Sequence, residues 1–533
     1  MSEMEAIGDG TADEPERTSA RSLAKAGLVV SGAYLVSRIL GYVRVVVIGT
    51  TFGAGQDLDA FFAAFRIPDL IFQLVAAGAV ASAVVPIVSG LLATGERDRA
   101  WRVVSTLANL MLVGLLVLAL AAFVFARELV ALITPGFEGA QLERTVELTR
   151  IMLASPILLA LGAIVTAALN AERRFAASAV APIVYNLAII GGAVLLSEPM
   201  GVTGLAISVV AGSAALLAVQ VPALYRIGFR LSPRVDLSDD QARKVLVLMG
   251  PRVLGLSASQ ITMVVMTSLA TGVAVGAVSA FTIAFALLQI PMGVIGIPLG
   301  IVIFPSLSRE LAVGRTATYL DLVARASRIL LFVMLRIAAI GMALRLQIVD
   351  LLLGYGQFDQ AAVVLTADTL LLFLIGLAAH ALIGVSARAF YAKQDTKTPV
   401  IAAILAVVIN TTLGVALVGP LGLPALGLAI AVAAWAEALL LLVVLKRREP
   451  QLDLAGIASV GLRSLIGSAV AAGVALVMLQ LLGGNNGKVF VFVQAGIAAI
   501  AAGLAYAGVA LALRIPELPS MISIVTDLVR RRR

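Results

Sequence analysis

The chain has no cysteine in its 533 residues, so it can hold no disulfide, no thiolate metal site and no thiol redox centre. Its one histidine, His380, leaves no imidazole cluster to bind a metal. Charged residues are only 13% and aromatics only 5% of the total. A soluble domain of this length would need far more polar surface to cover its core. What fills the chain instead is apolar: 61% of residues are hydrophobic and the mean hydropathy is +1.05, against about 45–50% apolar in ordinary soluble domains. The net charge of +8 does not point to nucleic acid, because the lysines and arginines sit in short loops between apolar runs. That distribution marks a multi-span membrane protein.

A spanning helix needs about 20 apolar residues. Val103 to Ala126 and Val489 to Leu513 are uncharged throughout and flanked by basic residues. Val253 to Ser308 is uncharged but too long for one crossing, and ATGVAVGAVS (Ala270 to Ser279) divides it. GPLGLPALG (Gly419 to Gly427) divides the run from Thr398 to Leu445 in the same way. Extending this reading predicts helices near 25–50, 58–93, 101–127, 143–170, 175–197, 202–226, 240–270, 276–310, 318–346, 361–392, 398–418, 424–446, 456–483 and 489–513. That makes about fourteen spans. The fold class is an all-α integral membrane protein.

Loop charges orient the spans. Arg97, Arg99, Arg102, Arg173, Arg174, the 226–244 connection, Arg309, Arg315, Lys393, Lys397, Lys446 to Arg448 and Arg530 to Arg533 fall on one side. The other side holds little beyond Arg144, Arg345 and Lys488. The positive-inside rule makes the first side cytoplasmic, with both termini there. Residues 1–24 read as a disordered tail, polar and lacking the apolar core of a signal peptide. The 226–242 connection and the basic 516–533 segment are topology-setting loops, or else amphipathic stretches lying on the membrane surface. The chain divides near residue 235 into halves of related layout, 25–235 and 236–450, followed by a terminal pair at 451–515. Paired halves are the plan of a secondary transporter. Pattern alone supports the pairing, without strong identity between the halves.

Charge at membrane depth is costly and marks function. DLDAFFAAFRIPDLIFQ (Asp57 to Gln73) places Asp59, Arg66 and Asp69 in a greasy stretch. Asp59 and Arg66 are seven residues apart, hence on one helical face. Arg38 and Arg44 precede them. Retained arginines suggest an anionic cargo. Alternatively, Asp59 neutralises Arg66 as a structural pair, with Asp69, three residues away, the better partner. His380 reads as a packed core residue or a proton relay, and Glu437 as an ion site or, more plainly, a helix–helix hydrogen-bond partner. GVIGIPLG (Gly293 to Gly300) carries no lysine and follows no strand, so it is no nucleotide loop.

Several ordered blocks resemble the MurJ (MviN) family of lipid II flippases, within the multidrug, oligosaccharidyl-lipid and polysaccharide exporter superfamily. They are SRILGYVR (Ser37 to Arg44), FGAGQDLDAFFAAFRIPDL (Phe52 to Leu70), VVPI (Val84 to Ile87), LNAERRF (Leu169 to Phe175), AP..YN (Ala181 to Asn186), QIPMGVIGIPLGIVIFPSLS (Gln289 to Ser308), YGQFD (Tyr355 to Asp359) and RAFYAKQDTKTPV (Arg388 to Val400). The resemblance implies fourteen helices in two pseudo-symmetric lobes around a central cationic cavity. Helices 456–513 would form a groove for a lipid tail. The implied cargo is a polyprenyl diphosphate bearing a disaccharide-pentapeptide, moved from the cytoplasmic to the outer leaflet of a bacterial inner membrane by alternating access. The implied partners are that lipid and the surrounding membrane lipids, with cell-wall synthesis proteins as further candidates. No nucleic acid, cofactor or enzymatic chemistry is implied, and a monomer is expected.

The resemblance places Arg38, Arg44 and Arg66 on the diphosphate, with Asp59, Asp69 and Gln289 in gating or ion-linked roles. The chain departs from the family pattern at Val45, Phe72, Ala77 and Ala286, where charged residues are expected. Arg252 and Arg336 are the candidates to restore the cation lost at Ala286. The plainer alternative has Arg252 reaching the interface and Arg336 bonding a helix carbonyl or an acid. Three rivals stay open: an exporter of another polyprenyl-diphosphate glycan, a cation-coupled drug exporter, and a non-transporting scaffold for wall synthesis.

Overall fold

A computed structural model describes residues 14–75, 79–236, 238–483 and 487–519, with the side chains of 14–31, 74–82, 246 and 248–259 outside the description. Among these residues there are helices and no strand. The first half contains α1 (Glu14–Phe52), α2 (Gln56–Val75), α3 (Ala79–Ala93), α4 (Arg97–Val124), α5 (Ala126–Ile133), α6 (Gly139–Met152), α7 (Ala154–Ala171), α8 (Phe175–Leu195), α9 (Ser197–Ala218) and α10 (Val221–Arg226). The second contains α11 (Asp240–Thr271), α12 (Ala277–Pro291), a π-helical turn π1 (Met292–Gly296), α13 (Ile297–Ala312), α14 (Thr316–Ala343), α15 (Arg345–Leu353), α16 (Gln360–Ile375), α17 (Leu377–Ala392), α18 (Lys397–Leu421) and α19 (Pro424–Arg448). A terminal hairpin, α20 (Leu454–Leu481) and α21 (Lys488–Ala512), follows.

Eleven helices among the described residues are long and apolar enough to cross a membrane, or twelve with the bent pair α16–α17 counted as one span. The stretches expected at 58–93 and 240–270 include residues outside the description; their described parts include the shorter apolar helices Ala83–Ala93 and Gln260–Thr271. The span expected at 361–392 bends by 42° between α16 and α17. Gly376 sits at the break, where a Cβ would stand 2.8 Å from Ala431 Cα of α19. Helix α1 reaches back to Glu14, into the tail expected to lack structure; residues 1–13 and 520–533 lie outside the description. Once a span supplies the nucleus, helix propagation into a flank costs little.

The halves repeat. Arg173 and Gln394, the two left-handed non-glycine residues that end α7 and α17, fall about 220 positions apart, as do Gly201 and Gly422, and Gly95 and Gly314. Sequence follows the same offset: LATG (Leu92 to Gly95) answers LAVG (Leu311 to Gly314), and GLAI occurs at 204–207 and at 427–430. AFFAAF (Ala60 to Phe65) answers AFTIAF (Ala280 to Phe285).

The connection after α10 is tied to α4 through Phe229, Ser232 and Asp236. Asn109 Nδ2 donates to Ser232 O at 2.6 Å, Ser105 and Thr106 accept from the backbone of Ser232 and Asp236, and Phe229 meets Trp101 edge-on at 5.6 Å. The hairpin is tied to the second half at both ends and in the middle. Lys488 Nζ donates to Asp350 Oδ1 at 2.7 Å, Tyr506 Oη to Phe332 O at 2.7 Å, and Arg328 bonds Glu517 and Asp453.

Candidate functional site

The two halves interlock at the end of the bundle where α1 stops and α2 starts. Asp59, in the first turn of α2, is buried at 1% exposure. Its Oδ2 accepts from Gly276 N at 2.7 Å, and its Oδ1 accepts from Ser279 N at 2.7 Å and Ser279 Oγ at 2.6 Å. The carboxylate thus caps α12 of the other half, meeting free N–H groups and the positive end of the helix dipole. It does not pair with Arg66.

Glycines permit the close approach. A Cβ on Gly276 (φ +84°) would stand 2.4 Å from Ala54 O, and one on Gly356 (φ +60°) would stand 2.3 Å from Thr50 O. Gln357 N donates to Thr50 O at 2.8 Å, hooking the α15–α16 loop onto α1. The counterpart loop does the same in reverse: Gly136 N donates to Thr271 Oγ1 at 3.1 Å, hooking α5–α6 onto α11.

Below this latch lie the arginines. Arg66 Nε donates to Thr267 Oγ1 of α11 at 2.9 Å and Nη2 to Thr282 Oγ1 of α12 at 3.3 Å, so it also reaches the second half. Asp69 is near enough to interact with Arg66 electrostatically and accepts from Gln73 Nε2 at 3.5 Å. Arg38 donates to Tyr34 Oη at 3.0 Å through Nη2 and lies against Gly293 of π1, where a Cβ would be 2.5 Å from its Nη1. Arg44 lies over the ring of Tyr185 on α8, 5.7 Å from its centroid. Neutral groups hold all three; among the described residues none has a carboxylate at ion-pair distance.

Gln289 contributes its backbone, whose carbonyl accepts from Tyr42 Oη at 3.0 Å, while its side chain is exposed. Arg336 lies over the rings of Phe332 and Tyr506, at 6.0 and 5.5 Å, in the seam between α14 and α21. The structure gives it no contact with Arg38, Arg44 or Arg66 among the described residues. Arg252 falls within α11, but its side chain lies outside the described residues. Reading the sequence missed Ser279, Thr267, Thr282 and the glycines at 276 and 356. Aligning the halves on AFxxAF would have found Ser279, which stands where Asp59 stands.

A family model described as lipid II flippase MurJ matches residues 48–523. The chain belongs to the lipid II flippase MurJ family. Relatives within it include the lipid II flippase MurJ of Burkholderia cenocepacia, 31% identical over 435 residues that cover 80% of this chain and 84% of the relative. The probable lipid II flippase MurJ of Rhizobium tropici is 32% identical, over 80% of this chain and 81% of its own. Among solved structures, a lipid II flippase MurJ in an inward closed conformation superposes with a TM-score of 0.76, at 22% identity and over 93% of this chain and all of that one. An inward-facing multidrug resistance MATE transporter shares the fold at a TM-score of 0.60 and 16% identity, over 79% of this chain and 95% of that one. In this MurJ-family chain the blocks from FGAGQDLDAFFAAFRIPDL to RAFYAKQDTKTPV fall within the matched residues, and the multi-pass membrane character follows from its apolar helices.

Proposed function

We propose that this protein moves lipid II, a polyprenyl diphosphate bearing a disaccharide-pentapeptide, from the cytoplasmic to the outer leaflet by alternating access. The observation that carries the reading is the set Arg38, Arg44 and Arg66, three guanidiniums at membrane depth held by hydroxyls, rings and a glycine notch rather than by acids. Such charge calls for an anion. A diphosphate suits it, because a guanidinium binds phosphate oxygens in a two-pronged way and a low dielectric strengthens the contact. Asp59, Asp69 and Gln289 take gating or ion-linked roles, with Asp59 bonded to the other half's α12.

Loop charge puts both termini in the cytoplasm. The Asp59 latch then lies on the outer side, and the arrangement described here is closed outward. In this reading fourteen spans form two lobes with the cargo between them, and the chain works as a monomeric transporter without enzymatic chemistry. An apolar groove of about 330 Å³ between α14, α19 and α20, lined by Leu331, Trp435, Ile457 and Leu465, supports a hydrocarbon-accepting role for the hairpin side. The membrane potential, worth about 2.3 kcal/mol per charge per 100 mV, is enough to bias the reset of a cationic carrier.

The test is reconstitution into liposomes loaded with a fluorescent lipid II, following the label's exposure on the opposite leaflet. Exposure that rises with the protein and is lost in Arg44→Ala supports the reading. Equal rates with and without protein sink it.

A further inference from the structure

The repeat leaves the halves unequal in charge. Arg66 of α2 has Ala286 as its counterpart in α12, so that helix brings no cation from the second half. Arg388 of α17 is a cation of that half with no acid at ion-pair distance among the described residues, as is Arg336. Arg345, Lys393, Arg448 and Lys488 each hold an acid. Arg388 is half-buried, and among the described residues its hydrogen bond is from Nη1 to Gly384 O, at 2.8 Å, one turn back on its own helix. Glu437 of α19 acts electrostatically on the nearby Tyr391 but makes no ion pair with Arg388.

A seat is cut for it. A Cβ on Gly300 of α13 would stand 2.2 Å from Arg388 Nη1 and 2.6 Å from Cζ. Arg38 of the first half has the matching seat at Gly293. The two glycines are seven residues apart, about 10 Å of helix rise, and the π turn between them rotates the faces so that each meets a different arginine. Two guanidiniums from opposite halves therefore converge on one broken helix.

The side of α17 carrying Arg388 is also the accessible one. Leu377, Leu382, Val385, Ala389 and Phe390 are buried, while His380, Gly384, Arg388 and Tyr391, spaced by four, four and three, are partly open. A stripe of histidine, glycine and arginine is unsuited to hydrocarbon and lines a polar space.

We propose that Arg388 is the second half's anion-binding residue, closing on a phosphate of the lipid diphosphate across π1–α13 from Arg38, with Gly300 as its seat. The proposal rests on the diphosphate-cargo reading above.

The test measures binding of undecaprenyl diphosphate to the full chain in phospholipid-free detergent by native mass spectrometry, with phosphatidylglycerol as a parallel ligand. Arg388→Ala should weaken diphosphate binding at least tenfold. Gly300→Ala, which keeps the charge but fills the seat, should weaken it about threefold, a loss near 0.6 kcal/mol. Arg388→Lys should recover part of the affinity, and Arg325→Ala, in an exposed ion pair with Asp321, should leave it unchanged. Recovery in Arg388→Lys separates binding from misfolding. Loss in Arg44→Ala with full binding in Arg388→Ala overturns the proposal alone. Loss of phosphatidylglycerol but not diphosphate from Arg388→Ala makes this a headgroup site and also overturns it. No diphosphate binding by the unsubstituted chain sinks the cargo reading, and this inference with it.

Discussion

Asp59 and Ser279 occupy equivalent positions in the two halves of the chain, and they hydrogen-bond each other at 2.6 Å. A contact between repeat counterparts lies where the two halves meet most symmetrically, so separating the halves must break it early. The asymmetry at this point is chemical: one half supplies a carboxylate, and the other a hydroxyl and two helix N–H groups. The latch is therefore a helix cap made between lobes, worth about 0.5–2 kcal/mol on the scale of caps within one chain.

Asp59→Ala should loosen this end of the bundle. The chain lacks cysteine, so a single cysteine at Ala54 reports the opening cleanly. Its labelling by a membrane-impermeant maleimide should rise roughly 5- to 30-fold, the shift expected from one to two kcal/mol. Ser279→Ala keeps both backbone bonds and should shift it less. An unchanged labelling rate in Asp59→Ala would mean that the cap does not hold the halves together.

The glycines of the latch separate backbone strain from blocked approach. Gly201 and Gly356 both have positive φ, 56° and 60°, but a Cβ on Gly201 meets open space while one on Gly356 meets Thr50 O at 2.3 Å. Gly201→Ala should cost about 1–2 kcal/mol of stability and leave transport intact. Gly356→Ala should insert normally yet fail to transport. Normal transport by Gly356→Ala would remove the loop hook from the mechanism.

Arg66 should couple energetically to its two threonines. A double-mutant cycle of Arg66→Ala with Thr267→Val should give a coupling of about 1–2 kcal/mol in thermal unfolding. The cycle with Thr282→Val should give less, since that bond is 3.3 Å rather than 2.9 Å. Arg66→Lys keeps the charge but cannot serve both hydroxyls with one planar fork. Coupling near zero in both cycles would mean that Arg66 points elsewhere in solution.

One prediction concerns pH and a loop outside the spans. Burial raises the Asp395 carboxyl, but bonds from Thr398 Oγ1 at 2.6 Å, from Thr398 N and from Arg448 outweigh it and hold the group at about 2. A carboxyl depressed in the folded state stabilises above its unfolded pKa and loses that contribution as pH falls through the folded value. The melting-temperature gap between the unsubstituted chain and Asp395→Asn should hold steady from pH 5 to 8 and shrink from about 4 toward about 2. A constant gap down to about pH 2 would show that the bonds do not depend on ionisation.

Much of this was legible in the sequence, because hydropathy and punctuation are local. The breaks at Ala270 to Ser279 and Gly419 to Gly427 fall between α11 and α12 and between α18 and α19. Arg38, Arg44, Arg66 and Asp59 stood out because charge is rare at membrane depth. Partners were not legible. Asp59 bonds residues 217 and 220 positions away, and nothing in its own helix announces that. Arg336 also stood out as a charge at membrane depth, but its partner Tyr506 of α21 did not. The π turn was hidden inside an unbroken apolar run, as were the seats at Gly293 and Gly300, whose value depends on arginines from other helices.

The central claim is best tested in cells depleted of their own lipid II flippase, expressing this chain or its Arg44→Ala form at equal membrane level. The account predicts that the unsubstituted chain restores growth and lipid II reaches the outer leaflet, while Arg44→Ala does neither. Correct insertion without rescue by the unsubstituted chain would contradict it.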